Sequence, residues 1–266
     1  MSERVEPFEL TVVGGGNMGA ALLGGLLDAG AVVPSSVAVV EVLAARRDEL
    51  AELFPEVVVT DQIPASRAAI IAVKPGDVVD AARHVAAAGA ERVLSIAAGV
   101  RLATIEAAVG PSVAVVRAMP NTPALVRLGA SAIAGGTAAD ADDVAWAESI
   151  LAAVGTVERM SEPDLDLFTG VAGSGPAYLF LVAEALTDAA TAEGMPRDVA
   201  ERVVCQLLLG AATLLDRDRD ATLLRERVTS PGGTTAAGLA VLDERGLRET
   251  FSAAVRAATE RSRELG

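Results

Sequence analysis

The sequence predicts an α/β fold in which a parallel sheet with helical crossovers is followed by an all-helical region. Two observations predict this fold. Through the first 160 residues, short β-branched runs alternate with helix-length runs, which is the pattern of a parallel sheet. From residue 161 to the C-terminus, helical periodicity continues and no segment has the pattern of a strand. We therefore predict two domains, residues 1–160 and 161–266.

The elements follow from the apolar periodicity and from turn residues. The predicted strands are 9–13, 36–40, 57–59, 69–73, 92–96, 113–117, 129–134 and 155–159. The helices between them are 17–29, 43–53, 76–88, 101–109 and 141–153, the last with Asp140 as its N-cap. Ser161 and Asp164 predict a capping box that begins the second domain. Its predicted helices are 163–193, 196–216, 221–227, 234–244 and 247–265.

Composition limits the partners and the compartment. A net charge of −14 argues against nucleic acid or an anionic membrane surface as a partner. The apolar runs are broken by Gly, Pro and charges, so no segment is expected to span a bilayer. The N-terminus lacks a secretory pattern and the chain has one cysteine, so we expect a cytoplasmic protein. Cys205 lies in the apolar run 203–209, so we expect it to be buried. One His and one Cys exclude a His/Cys metal cluster, and no metal site is predicted.

The first strand, a glycine turn and the first helix form a candidate dinucleotide site. Gly14, Gly16 and Gly19 have the spacing G-x-G-x-x-G, with Asn17 and Met18 between the last two. In such a turn the first glycine allows the bend, the second lets a pyrophosphate approach, and the third lets helix pack on strand. The N-terminus of the helix then offers N–H groups to an anion. The turn predicts a Rossmann-type dinucleotide-binding domain.

The second strand bears on the choice of cofactor. Glu41 ends this strand, where an acidic residue accepts hydrogen bonds from the ribose diol and favours NAD(H). Arg46 and Arg47 follow closely, and they could instead bind the 2′-phosphate of NADP(H). The sequence therefore predicts NADPH or NADH as cofactor and leaves the preference open.

Further cofactor-binding candidates follow the fourth and fifth strands, because ligands of such sheets lie beyond the carboxyl ends of the strands. Lys74 could act as an acid or base, or could hold loops together. The small residues after the fifth strand leave room for a nicotinamide. The candidates are Ala72, Val73, Lys74 and Pro75 after the fourth strand, and Ala97, Ala98 and Gly99 after the fifth.

Three later segments combine unusual backbone with polar side chains. Residues 117–123 form a loop with two prolines in which Arg117 and Asn121 are suited to bind an amide or a carboxylate, or which simply connects two elements. Residues 173–178 place glycines and a proline inside a predicted helix, which indicates a kink or a close approach. Residues 228–235 place Gly232 and Gly233 before a helix N-terminus with Ser230, Thr234 and Thr235 beside them, which predicts a carboxylate-binding loop.

Taken together, the blocks at residues 14–19, 72–75, 117–123, 173–178 and 229–235 resemble the Δ1-pyrroline-5-carboxylate reductase family, in the right order and over nearly the whole chain. The resemblance implies NAD(P)H-dependent reduction of the cyclic imine 1-pyrroline-5-carboxylate to L-proline, the last step of proline biosynthesis. It further implies that Thr235 contacts the ring nitrogen, and that Ser230 and the N–H groups of Gly233 and Thr234 bind the carboxylate. Family members are dimers or larger rings.

The apolar character of the helices at 163–193 and 196–216 also predicts a homodimer or larger homo-oligomer, because it extends beyond one stripe. Two other functions compete with the reductase. β-Hydroxyacid dehydrogenases and ketopantoate-type reductases resemble one another in using a lysine on a helix of the second domain. Here the only lysine in the sequence is Lys74, in the first domain, which argues against both families. A redox sensor that binds a dinucleotide without turnover would not need the carboxylate-binding loop.

Overall fold

The computed structural model of the protein describes residues 6–266, which form two compact units. The first unit continues to Ser174 and also contains Ala257–Gly266, and the second is Gly175–Arg256. This division lies beyond the predicted boundary between residues 160 and 161. One reason is Leu165, which is fully buried in the core of the first unit.

An eight-stranded sheet forms the centre of the first unit, and all the predicted strands are present to within a few residues. Its strands pair in the order β3-β2-β1-β4-β5-β6-β7-β8. The strands are β1 (Phe8–Val13), β2 (Val37–Val40), β3 (Val58–Thr60), β4 (Ser66–Ile71), β5 (Arg92–Ser95), β6 (Ala114–Met119), β7 (Gly129–Gly135) and β8 (Gly155–Arg159).

The sheet is not wholly parallel, because β7 runs antiparallel to β6. A parallel crossover needs about a dozen residues or more. The connection between β6 and β7 is shorter and holds one 3₁₀ turn, Thr122–Val126, so the chain reverses direction at this point. Strand β8 then pairs in parallel with β7.

Helices cover both faces of the sheet, so that neighbouring residues of one strand lie in different cores. Val12 of β1 belongs to one apolar cluster and Val13 to the other. Helices α1 (Asn17–Asp28), α2 (Ala44–Leu53) and α5 (Ala141–Ala152) contribute to the first cluster. Helices α3 (Val78–Ala87) and α4 (Leu102–Val109) contribute to the second.

Asp140 is the N-cap of α5, as predicted. Its carboxylate accepts hydrogen bonds from the N–H groups of Asp142 and Asp143, and Asp143 completes a capping box. These bonds stabilise the charged carboxylate and lower the pKa of Asp140 below its ordinary value. The capping box predicted at 161–164 is wrong, because the Ser161 hydroxyl bonds to the side chain of Asp164 and not to the helix backbone.

The predicted helix 163–193 is interrupted. Helix α6 (Asp164–Phe168) runs into a π-helical turn, Thr169–Gly173, and α7 (Gly175–Ala192) follows. The whole stretch Asp164–Ala192 is 29 residues long and contains an 18-residue window with a mean hydropathy of 1.3, so by length and composition it is long and apolar enough to cross a membrane. The expectation that no segment is long and apolar enough to span a bilayer is therefore wrong, judged by length and composition alone.

The second unit consists of helices. It contains α7, α8 (Arg197–Asp218), α9 (Ala221–Arg227), α10 (Thr234–Glu244) and the first part of α11 (Leu247–Leu265). Helices α7 and α8 pack against each other. Cys205 of α8 is exposed, which contradicts the expectation that it is buried.

Candidate dinucleotide site and anion-binding loop

The turn between β1 and α1 is shaped by two glycines that no other residue could replace. Gly14 has a φ of +104°, and a Cβ there would lie 2.5 Å from the carbonyl oxygen of Ala72. A Cβ on Gly19 would overlap the carbonyl oxygen of Gly14. The missing side chains therefore let α1 start against the ends of β1 and β4.

Gly16 has a different role, because a Cβ there would meet no atom within 4 Å. Gly16 is the N-cap of α1 and gives it no side-chain cap, so the N–H groups of the first turn have no capping side chain as a partner. Asn17 is exposed and Met18 packs partly against the core. The space beside Gly16, at the N-terminus of α1, fits the pyrophosphate of a dinucleotide.

The glycine turn lies where the strand order reverses, since β1 pairs with β2 on one side and with β4 on the other. Ligands of open α/β sheets bind at this point. A cleft of about 670 Å³ opens beside it, at the carboxyl ends of these strands. Its lining includes Val13, Val40, Val42, Val73, Asp77 and His84.

The loops after β4 and β5 lie along the same edge of the sheet. The backbone N–H of Ala72 donates to Val13 at 2.8 Å, which places Ala72 and Val73 beside the glycine turn. Lys74 and Pro75 are exposed and begin a 3₁₀ turn. After β5, Ala97 is buried and Ala98 is exposed, whereas a Cβ on Gly99 would lie 3.3 Å from Leu265. The structure thus brings the predicted cofactor residues to one edge.

Glu41 and the two arginines are already engaged with the protein backbone. The Glu41 carboxylate accepts hydrogen bonds from the N–H groups of Gly15 at 3.2 Å and Leu43 at 2.9 Å. Arg46 donates from Nε to the carbonyl of Gly15 at 2.8 Å. Arg47 donates to the carbonyls of Glu41 and Val42.

The predicted carboxylate-binding loop lies in the second unit. The N–H of Gly233 donates to the carbonyl of Ser230 at 3.0 Å and closes a turn in which Gly232 has a φ of +69°. Gly233 is the N-cap of α10, and no side chain caps this helix. The N–H groups of Thr234 and Thr235 therefore have no partner within the helix, and both residues are exposed. The loop is suited to bind a small anion.

Asn121 uses both ends of its amide within the protein. Its Nδ2 donates to the carbonyl of Ala172 at 3.0 Å, and its Oδ1 accepts from the N–H of Ala130 at 2.9 Å. In an α-helix the carbonyl of residue 172 would pair with the N–H of residue 176, but Ala172 lies in the π-helical turn and Pro176 has no N–H. Asn121 supplies the missing donor, and its predicted contact with substrate stays a prediction.

Sequence reasoning missed two carboxylates that hold the first unit together. Glu162 accepts from the N–H of Leu102 at 2.6 Å and from buried Arg117 at 3.0 Å. Asp166 is 2% exposed, pairs with Arg101 at 3.0 Å and accepts from Ser262 at 2.7 Å. Glu162 is 45 residues from Arg117 in the chain, and Asp166 is 96 residues from Ser262, so no local pattern indicates these contacts.

Comparison with known proteins places this architecture in a family. A family model described as pyrroline-5-carboxylate reductase dimerisation matches residues 162–265, and one described as NADP oxidoreductase coenzyme F420-dependent matches residues 9–99. A pyrroline-5-carboxylate reductase from Synechocystis sp. is 42% identical, with 97% of this chain and 98% of that protein covered. The chain belongs to the pyrroline-5-carboxylate reductase family.

Solved structures of reductases agree with this assignment. The pyrroline-5-carboxylate reductase of Coxiella burnetii superposes with a TM-score of 0.90 at 35% identity, over 98% of this chain and 99% of that one. The pyrroline carboxylate reductase of Plasmodium falciparum, solved with NADP bound, has a TM-score of 0.83 at 26% identity over the same shares. The fold class and the resemblance predicted from sequence are confirmed.

Proposed function

We propose that this chain is a pyrroline-5-carboxylate reductase, which reduces 1-pyrroline-5-carboxylate to L-proline with NADH or NADPH in the last step of proline biosynthesis. The observation that carries the proposal is the 42% identity to a curated reductase over 97% of the chain. The glycine turn before α1 and the N-terminus of α10 offer backbone N–H groups of the kind that bind the anionic groups of a dinucleotide and of the substrate.

For the cofactor, the proposal assigns binding to the sheet edge of the first unit. When bound, the dinucleotide supplies the hydride that goes to the imine carbon. The N–H groups at the start of α1 hold its pyrophosphate, and the residues after β4 and β5 bind the rest. The proposed cofactor-binding residues are Gly14, Gly16, Asn17, Met18, Gly19, Glu41, Ala72, Val73, Lys74, Pro75, Ala97, Ala98 and Gly99.

For the substrate, the proposal assigns the carboxylate to the loop before α10. Ser230 and the N–H groups of Gly233 and Thr234 bind it, helped by the positive end of the helix. Because the Gly233 N–H already donates to Ser230, the contact with substrate requires this bond to be shared. Asn121 belongs to the proposed substrate residues only through the backbone that it holds.

For the chemistry, the proposal needs no strong acid. An imine is readily protonated near neutral pH, and the ring nitrogen needs only a hydrogen-bond partner while the hydride arrives. Thr235, exposed in the first turn of α10, carries a hydroxyl that can serve as this partner. Orientation of the two reactants then supplies much of the rate enhancement.

The test is a pair of substitutions at Thr235. Thr235→Val keeps the shape of the side chain but removes the hydroxyl, so we expect kcat to fall at least about tenfold, the loss of one transition-state hydrogen bond. Thr235→Ser restores a hydroxyl and should recover most of kcat. Steady-state assays with 1-pyrroline-5-carboxylate measure both, and calorimetric titration with the dinucleotide should show unchanged affinity. Equal kcat for the Val and wild-type proteins would remove Thr235 from the mechanism.

For assembly and location, we propose a homodimer or larger homo-oligomer that acts in the cytoplasm without nucleic acid or membrane partners. The match to a dimerisation family over residues 162–265 supports the assembly. Large apolar side chains exposed on α7 and α8, such as Phe180 and Leu207, support it as well. The net charge of −14 argues against polyanionic partners.

A further inference from the structure

The segment after β2 determines which nicotinamide dinucleotide the first unit can accept. In sheets of this class the adenosine ribose lies beyond the end of the second strand, which is the position of Glu41. NADH has a free 2′-hydroxyl, which forms a diol with the 3′-hydroxyl, and NADPH has a 2′-phosphate, so the groups around Glu41 decide between them. The inference about this choice rests on the proposed function in one respect: it requires that the chain binds NADH or NADPH.

Glu41 is held in place before any ligand arrives. Its Oε2 accepts from the N–H of Gly15, within the glycine turn, and its Oε1 accepts from the N–H of Leu43. One of these N–H donors precedes β2 in the chain and the other follows it, and together they fix the Glu41 carboxylate between the end of β2 and the glycine turn. An ionised carboxylate has several acceptor sites, so each oxygen keeps capacity for a ribose hydroxyl.

The two arginines that could bind a 2′-phosphate are turned to other partners. Arg46 binds the carbonyl of Gly15 through Nε and the carboxylate of Glu49 through Nη1 at 2.6 Å. Arg47 binds the carbonyls of Glu41 and Val42 through Nη1, at 2.9 and 3.0 Å. Both guanidinium groups therefore stabilise the backbone around Glu41.

The side chains nearest to Glu41 in the chain offer nothing to a phosphate. Val42 and Leu43 are apolar and are 79% and 66% exposed. A 2′-phosphate is an acceptor with a negative charge, and beside the Glu41 carboxylate it would meet repulsion. A ribose diol, in contrast, has two O–H groups to donate to the same carboxylate.

From this arrangement we infer that the enzyme prefers NADH to NADPH, that Glu41 sets the preference, and that Arg46 and Arg47 position the backbone around it. Arg46 and Arg47 are thus positioning residues for both dinucleotides. The NADP found in the Plasmodium falciparum structure belongs to a relative that is 26% identical, and it does not determine the preference of this chain.

Calorimetric titration of the purified protein with NADH and with NADPH, in the absence of substrate, tests the inference. The wild-type protein should bind NADH at least tenfold more tightly. Glu41→Gln keeps the length of the side chain but removes the charge, so the preference should fall at least tenfold. Glu52→Gln is the matched control, because it removes an exposed carboxylate of α2 that does not hold Arg46 or Arg47; the preference should stay unchanged.

Arg47→Ala separates the two roles of the arginines. If Arg47 holds the backbone, affinity for both dinucleotides falls by a similar factor. A loss for NADPH alone would show that Arg47 binds the 2′-phosphate, and would overturn the inference. Tighter binding of NADPH by the wild-type protein, or a preference that Glu41→Gln does not change, would overturn it as well. Binding of neither dinucleotide would instead contradict the proposed function.

Discussion

The two units of the protein treat their apolar residues in opposite ways. In the first unit, helices on both faces of the sheet bury large side chains completely, for example Leu22, Leu26 and Ile105. In the second unit, α7 has Thr187 as its buried residue and α8 has Ala200 and Val204, while large side chains such as Phe180 and Leu207 are exposed. The first unit completes its own core, whereas the second leaves apolar surface to be covered.

The same contrast applies to ion pairs. Asp166 of the first unit is almost fully buried and has both Arg101 and Ser262 as partners. The pair Arg197–Asp188 of the second unit is exposed at both ends, with 61% and 66% of the side chains accessible. The pKa of Arg197 is raised by this pair and by Glu201, but water screens such interactions. Breaking the buried pair should therefore cost more stability than breaking the exposed one.

The largest effect should come from placing charges on the exposed apolar surface of the second unit. We expect Phe180→Glu combined with Leu207→Glu to convert the assembly to monomers at micromolar concentration and to abolish most activity, because two carboxylates would be buried without partners. Size-exclusion chromatography with light scattering measures the assembly.

A matched pair in the first unit provides the control. Leu53 and Leu125 are 60% and 52% exposed, close to the values for Phe180 and Leu207, yet they lie in the unit that has its own core. Leu53→Glu with Leu125→Glu should leave the assembly intact. If the Phe180 and Leu207 variant also stayed assembled, this surface would not be the interface.

The second-largest effect, on the free energy of unfolding, should follow from Asp166→Ala. Removal of one member of a buried pair leaves the other uncompensated, and costs about 3–5 kcal/mol of unfolding free energy. Urea denaturation followed by circular dichroism measures it. Asp188→Ala, at the exposed pair, should leave the denaturation midpoint unchanged. Equal shifts for the two variants would refute the difference between the units.

The smallest effect concerns Asn121, which binds the backbone of Ala172 near the end of the first unit. Asn121→Ala should cost about 1–3 kcal/mol, because the partly buried carbonyl of Ala172 loses its donor. In a Pro176→Ala background residue 176 gains an N–H, so the same substitution should cost less. Urea denaturation of the four proteins gives this coupling as a double-mutant cycle. An identical cost in both backgrounds would mean that Asn121 does not replace the missing donor.

Local features of the chain were predictable from sequence. Strand periodicity located all eight strands of the sheet, and the spacing of Gly14, Gly16 and Gly19 located the turn. Asp140 was recognisable as an N-cap because the groups that it binds are two and three residues away. Each of these signals depends on neighbours in the chain, which the sequence lists directly.

Contacts between distant segments were not predictable. Glu162 belonged to a predicted capping box, yet its carboxylate binds the first N–H of α4, 60 residues away. Asn121 had the chemistry of a ligand-binding residue, and only the fold shows that a proline 55 positions later leaves a carbonyl for it to satisfy. Cys205 was expected in a core because its neighbours are apolar, but the helix surface around it is exposed.

The sequence by itself determined the fold class, the family and the two glycine-capped helix N-termini, because periodicity, glycine spacing and capping act within a few residues. Only the tertiary structure decided where Glu41, Arg46 and Arg47 direct their polar atoms, which carboxylates are buried, and which apolar faces remain uncovered. These outcomes depend on segments that are far apart in the chain, and their positions follow from packing of the whole unit.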